Sequence, residues 1–126
     1  MPVSSTKKKI LIVEDEELLC EMYREVFEKE GFLVVTASSG KEAVKVAQVA
    51  KPDFVLLDIL LPEENGIYFL EQRKSLPSLA AIPVMAFSNF DDSHIKKRAF
   101  DLGIKDYIIK TNYIPQEVVQ KVKTYL

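Results

Sequence analysis

Short apolar runs and longer amphipathic segments alternate along the whole chain. Residues 10–13 (Ile-Leu-Ile-Val) are continuously apolar and end abruptly in Glu14, Asp15, Glu16 and Glu17. A run of four is the right length for a strand buried on both faces. Leu18, Leu19, Met22, Tyr23, Val26 and Phe27 follow at three- and four-residue spacing, which predicts a helix with one apolar stripe, closed by Gly31. A second strand is predicted at 32–37. Ser39 and Glu42 have the spacing of a capping box ahead of a helix reaching about Ala50, with a lean apolar face of Ala43, Ala47 and Ala50.

Residues 54–57 (Phe-Val-Leu-Leu) form the third strand and stop at Asp58. Ile59, Leu60, Leu61 and Pro62 follow, and a polar turn closes at Gly66. The next helix carries Ile67, Phe69 and Leu70 and ends near Ser75. Pro77 and Pro83 bracket a predicted loop, and 83–87 is the fourth strand. Asp91, Asp92 or Ser93 caps a fourth helix carrying Ile95, Ala99, Phe100 and Leu102, which Gly103 closes. Residues 107–109 are the fifth strand. A fifth helix over 114–126 turns Val118, Val119 and Val122 inward, with Pro115 in its first turn. Five strands alternating with five helices over short connections call for an α/β fold, a doubly wound (βα)5 parallel sheet with helices on both faces.

Composition narrows the class. The chain has 126 residues, 48% hydrophobic and 29% charged, enough apolar matter for one domain with a real core. The net charge of −2 gives no general bias toward nucleic acid or membrane. Cys20 is the only cysteine, which excludes an intrachain disulfide or a cysteine-cluster metal site. No apolar run approaches a membrane span, and Lys7–Lys9 with 10–13 is too short for a secretory signal. The expected location is cytoplasmic. Residues 1–7 read as a flexible tail and 8–126 as the domain; no output domain is expected within the chain.

In a parallel sheet the C-terminal strand ends share one edge, where such folds bind ligands. Here they contribute Glu14 and Asp15, Asp58, Ser88, and Lys110. Taken singly, each has an ordinary reading: a capping pair, a turn aspartate, a loop serine, a solvated lysine. Jointly they place three carboxylates, a hydroxyl and an amine at one shallow site. Clustered carboxylates raise one another's pKa unless a cation joins them. An oxygen-only set favours a hard divalent ion, Mg2+ first. Lys110 can neutralise part of that charge or clamp an arriving anion.

These residues give the chain a resemblance. Val13-Glu14-Asp15-Glu16, Asp58-Ile59-Leu60-Leu61-Pro62 with Gly66, Ala86-Phe87-Ser88, and Gly103 with Asp106-Tyr107-Ile108-Ile109-Lys110 resemble the receiver domain of bacterial two-component response regulators. The likeness covers about residues 8–126. It implies the flavodoxin/CheY-like fold with strand order 2-1-3-4-5. It also implies that Asp58 accepts a phosphoryl group from a sensor histidine kinase or phosphotransfer protein. Asp15, Asp58 and the Leu60 backbone carbonyl would hold Mg2+, with Glu14 acting directly or through water. Lys110 would pair with a phosphoryl oxygen, and Ser88 would swing to hydrogen-bond it. Tyr107 would change rotamer in step, signalling to the face of the fourth predicted helix, fifth strand and fifth predicted helix. A homodimer or a downstream protein would bind there, with no direct contact to nucleic acid or membrane.

Such a domain catalyses its own phosphoryl transfer and slow autodephosphorylation and is not a turnover enzyme. The alternative is a pseudo-receiver, binding proteins independently of phosphorylation. A Mg2+-dependent phosphatase is disfavoured because Leu60 stands where a second acid would be needed. Three positions depart from the family's commonest pattern. Thr111 replaces a cis proline, Asn89 replaces a small residue beside the site, and position 14 is Glu. Leu60 and Phe90 are apolar where the family flanks the hydrolytic water, which implies a long-lived phosphorylated state. Lys96, Lys97 and Arg98 read as a solvated face or, alternatively, a partner surface, and His94 as exposed.

Overall fold

The computed structural model describes residues 7–60 and 65–126. The predicted tail, Lys7 apart, and the Leu61-Pro62 part of the strand-end motif lie outside these residues. Five strands, β1 (Lys9–Val13), β2 (Leu33–Ala37), β3 (Phe54–Asp58), β4 (Val84–Ser88) and β5 (Asp106–Ile109), pair in parallel in the order β2-β1-β3-β4-β5. This is the expected order, and it puts β3, bearing Asp58, at the centre. β3 is buried throughout.

Alternate strand residues feed two cores. Leu11, Val13, Val55, Leu57, Val84 and Ala86 face one side, against Ala43, Ala47, Phe69, Leu70 and Ala99. Ile10, Ile12, Phe54, Leu56, Met85 and Phe87 face the other, against Tyr23, Phe27, Val118, Val119 and Val122. The covering helices are α1 (Glu17–Lys29), α2 (Gly40–Ala50), α3 (Gly66–Ser75), α4 (Pro77–Ala80), α5 (Ser93–Asp101) and α6 (Pro115–Lys123).

Several local expectations are corrected. The segment between Pro77 and Pro83 is not wholly a loop: Pro77 starts the single turn α4, which fully buries Leu79. Proline's fixed φ suits a first helical position. The predicted fourth and fifth helices are therefore α5 and α6. α6 stops at Lys123, because Tyr125 turns aside to donate to Asp106 Oδ2 at 3.0 Å and stacks on Phe54. The apolar stripe of α1 is narrower than predicted. Cys20, Tyr23 and Phe27 face the sheet, whereas Leu18 is 88% exposed. At about 100° per residue Leu18 lies roughly 170° round the helix from that face. In the predicted capping box Ser39 Oγ accepts from Glu42 N at 3.1 Å, but the Glu42 carboxylate accepts from Ser38 N, one residue early.

Asp92, among the three candidates, caps α5, accepting from His94 N and Ile95 N at 3.0 Å each. Arg73 of α3 is buried although it is charged. Its Nε and Nη2 donate to the Ile82 carbonyl at 2.9 and 2.6 Å, tying α3 to the start of β4.

Candidate functional site

β3 delivers Asp58 to the sheet edge, and α3 locks it there. Asn65 caps α3 by accepting from Ile67 N and Tyr68 N at 3.0 and 3.3 Å. Gly66 N donates to the Ile59 carbonyl at 3.0 Å. A Cβ on Gly66 would stand 2.8 Å from the Asp58 carbonyl oxygen and 2.8 Å from Ile59 Cα, so only glycine permits this approach. Asp58 Oδ1 accepts from Leu60 N at 3.1 Å, and Oδ2 accepts from Lys110 Nζ at 3.0 Å.

Glu14 follows directly on β1, and its own N donates to the Ala37 carbonyl of β2 at 3.0 Å. Its Oε1 accepts from Lys110 Nζ at 2.6 Å and its Oε2 from Glu16 N at 3.0 Å. Lys110 opens a 3-10 turn, Lys110–Asn112, and no peptide among the described residues is cis. Its ammonium lies 4.6 Å from the centre of the Phe87 ring. Burial pushes the Glu14 and Asp58 carboxyls above their usual range, against the pull of Lys110. Burial alone would lower the Lys110 amine, but the Glu14 hydrogen bond and both negative charges outweigh it, and the amine is raised.

A pocket of about 170 Å3 opens here, with Asp15, Asp58, Leu60, Asn89, Phe90 and Lys110 in its walls. Asp15 is exposed, and Glu14, Asp15 and Asp58 each place a carboxylate oxygen within 4.8 Å of the others. This all-oxygen set, two of whose members burial has pushed up, fits a hard divalent cation such as Mg2+.

Ser88 is fully buried, and its Oγ accepts from Phe90 N at 3.2 Å. The Tyr107 hydroxyl donates to the Phe90 carbonyl at 3.1 Å, and burial raises this phenol. The two predicted switch residues are thus joined through the backbone of one loop residue. The structure brings Glu14, Asp15, Asp58, Leu60 and Lys110 together; Ser88 lies beside them, bonded to its own loop.

The basic run on α5 has acidic partners within the chain. Lys96 meets Asp91 at 3.7 Å, Lys97 meets Asp101 at 3.1 Å, and Arg98 meets Glu71 of α3 at 2.6 Å. His94 is exposed, as predicted. Two contributors carried no signal in the sequence: the Phe87 ring beside Lys110, and the Leu60 N–H on Asp58. A further cluster lies next to Tyr107, where Asp106 accepts from Lys121 Nζ at 3.0 Å and from Tyr125.

Comparison with known proteins agrees with this geometry. A family model described as the response regulator receiver domain matches residues 10–123. The alkaline phosphatase synthesis transcriptional regulatory protein PhoP of Bacillus subtilis is 36% identical over 119 residues, covering 94% of this chain and 48% of PhoP. The polar-differentiation response regulator DivK of Brucella ovis is 34% identical over 119 residues, covering 94% of this chain and 96% of DivK. The chain therefore spans about half of PhoP but nearly all of DivK. Among solved structures, the phosphorylated cyanobacterial phytochrome response regulator RcpA is similar with a TM-score of 0.79 at 30% identity, over 95% of this chain and 91% of that one. No helix among the described residues is long and apolar enough to cross a membrane.

Proposed function

Because the chain belongs to the response regulator receiver family, the phosphorylatable switches of two-component signalling, we propose that Asp58 is its phosphoacceptor. The observation that carries this is the Asp58 carboxylate itself. It ends the central strand, faces a pocket, and is gripped between the Leu60 N–H and the Lys110 ammonium. The donor is a sensor histidine kinase or phosphotransfer protein. An Asp58 oxygen attacks phosphorus while the P–N bond of the phosphohistidine breaks. The bonding pair leaves with the imidazole, which takes up a proton. Negative charge grows on the transferring oxygens, and Lys110, already beside Asp58, supplies a donor to one of them.

Mg2+, held by Asp15, Asp58 and the Leu60 carbonyl with Glu14 acting directly or through water, would neutralise further charge on these oxygens. Ser88 Oγ turns from Phe90 N to a phosphoryl oxygen and donates there. Phe90 N then loses its acceptor, the loop shifts, and the carbonyl that holds the Tyr107 hydroxyl moves with it. Tyr107 passes the change to the face of α5, β5 and α6. A downstream protein or a second copy binds on that face, and the domain itself touches neither nucleic acid nor membrane. Residues 8–126 act as this domain in the cytoplasm, catalysing their own phosphorylation and a slow dephosphorylation. The pseudo-receiver reading is not favoured, since Asp15, Asp58, Ser88 and Lys110 are all in place.

The test is intact mass after incubation with acetyl phosphate, with and without Mg2+, on wild type and Asp58→Asn. One added phosphoryl group in the wild type, dependent on Mg2+ and absent from the variant, is the expected result. No gain by a folded, Mg2+-binding wild type would sink the proposal.

A further inference from the structure

We propose that two copies of this chain pair through the free edge of β2, about a two-fold axis, so that their sheets run together as one. This surface is separate from the face of α5, β5 and α6, and it does not depend on the receiver reading. β2 is an edge strand, bonded to β1 alone among the described strands. Natural edge strands are usually blunted by charge, proline or a bulge. β5, at the other edge, begins with Asp106. Residues 32–37 (Phe-Leu-Val-Val-Thr-Ala) carry no charge and no proline, and β2 keeps an unbroken register with β1 from Leu33 to Ala37.

The backbone shows which groups are free. Each strand residue sends its N–H and C=O to the same side, and the side alternates along the strand. Leu33 N donates to the Lys8 carbonyl at 2.9 Å, and the Ala37 carbonyl accepts from Glu14 N at 3.0 Å. Leu33, Val35 and Ala37 therefore face β1, and Val34 and Thr36 present both backbone groups outward. Among the described residues nothing bonds to them there. Beyond them the edge is closed: Phe32 N is taken by the Phe27 carbonyl at 3.1 Å and Ser38 N by Glu42 Oε1 at 2.6 Å.

The free stretch is complementary to itself. Antiparallel pairing centred on Val35 sets Val34 of each copy against Thr36 of the other. Each such pair exchanges both its N–H···O bonds, so every outward group is used. Val35 then faces Val35 of the second copy, with about 4.5 Å between Cα atoms. Val35 and Thr36 are half-buried on opposite faces of the sheet, so neither α1 nor α2 closes the edge. Leu33, 47% exposed, comes to lie opposite Ala37 of the second copy. Charge favours a second copy in this orientation. Lys7, Lys8 and Lys29 are exposed around the start of β2, where Glu28 and Glu30 are engaged by Arg24 and Lys123. At the end of β2, Thr36, Ala37 and Ser38 share a cavity of about 280 Å3 with the exposed Glu17 and Glu42. Antiparallel pairing lays the basic start of each strand beside the acidic end of the other. The arrangement closes on itself and stops at two chains.

Two measurements test this. In the first, sedimentation and 15N NMR follow the unphosphorylated wild type from micromolar to millimolar concentration. It should pass from one chain to two, and the Val34 and Thr36 amides should shift and gain protection from hydrogen exchange as it does. A protein that stays a single chain throughout would overturn the inference, and so would a dimer whose shifts fall on α5, β5 and α6 instead. In the second, Val35→Lys and Val35→Glu are run separately and then mixed. Like charges meet on the axis in each variant alone, so each should dissociate at least about tenfold more readily than wild type. Opposite charges meet in the mixture, which should recover a mixed dimer. A lysine variant that pairs as well as wild type, or a mixture that pairs no better than its components, would overturn the inference. If either variant does not fold, the wild-type series decides alone. Labelling of Asp58 by acetyl phosphate is read separately, so failure here leaves the receiver reading standing.

Discussion

Gly66→Ala is the smallest change that should damage both the fold and the site. The added methyl group would meet two backbone atoms, Asp58 O and Ile59 Cα, at 2.8 Å, and Ile59 Cδ1 at 3.0 Å. Ordinary contact needs about 3.5–4.0 Å, so the start of α3 and the end of β3 must separate by more than half an ångström or so. Both flanks are fixed. Gly66 N is bonded to the Ile59 carbonyl, and α3 is anchored by fully buried Leu70 and nearly buried Phe69. Forcing a methyl into such a contact costs about 1–3 kcal/mol. Alanine returns up to about 1 kcal/mol through its better helix propensity, and less at a first position. The net loss is about 1–2 kcal/mol, which lowers the thermal midpoint by roughly 3–10 °C in a domain of this size. Circular dichroism melts at matched Mg2+ measure it. Acetyl phosphate labelling of the same variant should be slower, because the displaced backbone carries Asp58. A midpoint within about 1 °C of wild type would show that α3 can withdraw freely, and would refute the argument.

The acid response without metal has a definite sign. The folded-state values of Glu14 and Asp58 are raised above 4.5 and 3.8, so the stability they contribute is complete below those values and is lost as pH rises through the raised ones. Asp106, whose value is lowered below 3.8 by its bonds to Lys121 and Tyr125 against the effect of burial, acts only at more acid pH. The melting midpoint in EDTA should therefore rise as the pH is lowered from neutrality toward the ordinary carboxylate value of 4.5, and Mg2+ should flatten that rise; a metal-free midpoint that falls over the same range would contradict it. Arg73→Met strips the Ile82 carbonyl of both its short donors and should cost about 1–3 kcal/mol in urea unfolding; an unchanged midpoint would mean that water replaces the guanidinium. Leu60 and Phe90, 40% and 62% exposed beside the pocket, offer no side-chain group to orient water. Phosphorylated wild type should lose label slowly, and Leu60→Asn or Phe90→Glu should speed the loss several-fold; rapid loss from wild type in Mg2+ without a phosphatase would refute this.

The sheet was legible because each strand is a short apolar run ended by a charge, a hydroxyl or a turn, and parallel pairing sends all those ends to one edge. That logic predicts Glu14, Asp15, Asp58, Ser88 and Lys110 at one edge, and the structure brings Glu14, Asp15, Asp58 and Lys110 together there with Ser88 beside them. What escaped was which side of a residue faces what. Leu18 fits an apolar stripe by spacing, yet the helix turns it to solvent and sets Cys20, Tyr23 and Phe27 against the sheet. Arg73 looks like any surface arginine until the loop before β4 passes over it with a free carbonyl. The run between Pro77 and Pro83 reads as a loop, because one helical turn is too short to show periodicity.

The sequence lists the donors of the site but not how they are shared, and function turns on the sharing. Phe90 shows this. The sequence draws attention to its apolar side chain alone, yet both its backbone groups are in use. Its N–H is taken by Ser88 Oγ, and its carbonyl by the Tyr107 hydroxyl. Ser88 Oγ accepts from Phe90 N, so a swing of the side chain about χ1 that carries Oγ to a new anion takes the acceptor away from that N–H. Ser88, beside the Asp58 pocket, and the tyrosine on β5 are therefore tied by hydrogen bonds to the two backbone groups of one residue, the link on which the proposed switch depends. The coupling depends on the loop after β4 keeping its length. Replacing the Phe90 side chain leaves both backbone bonds available, whereas inserting a residue between Ser88 and Phe90 moves both groups away from their partners.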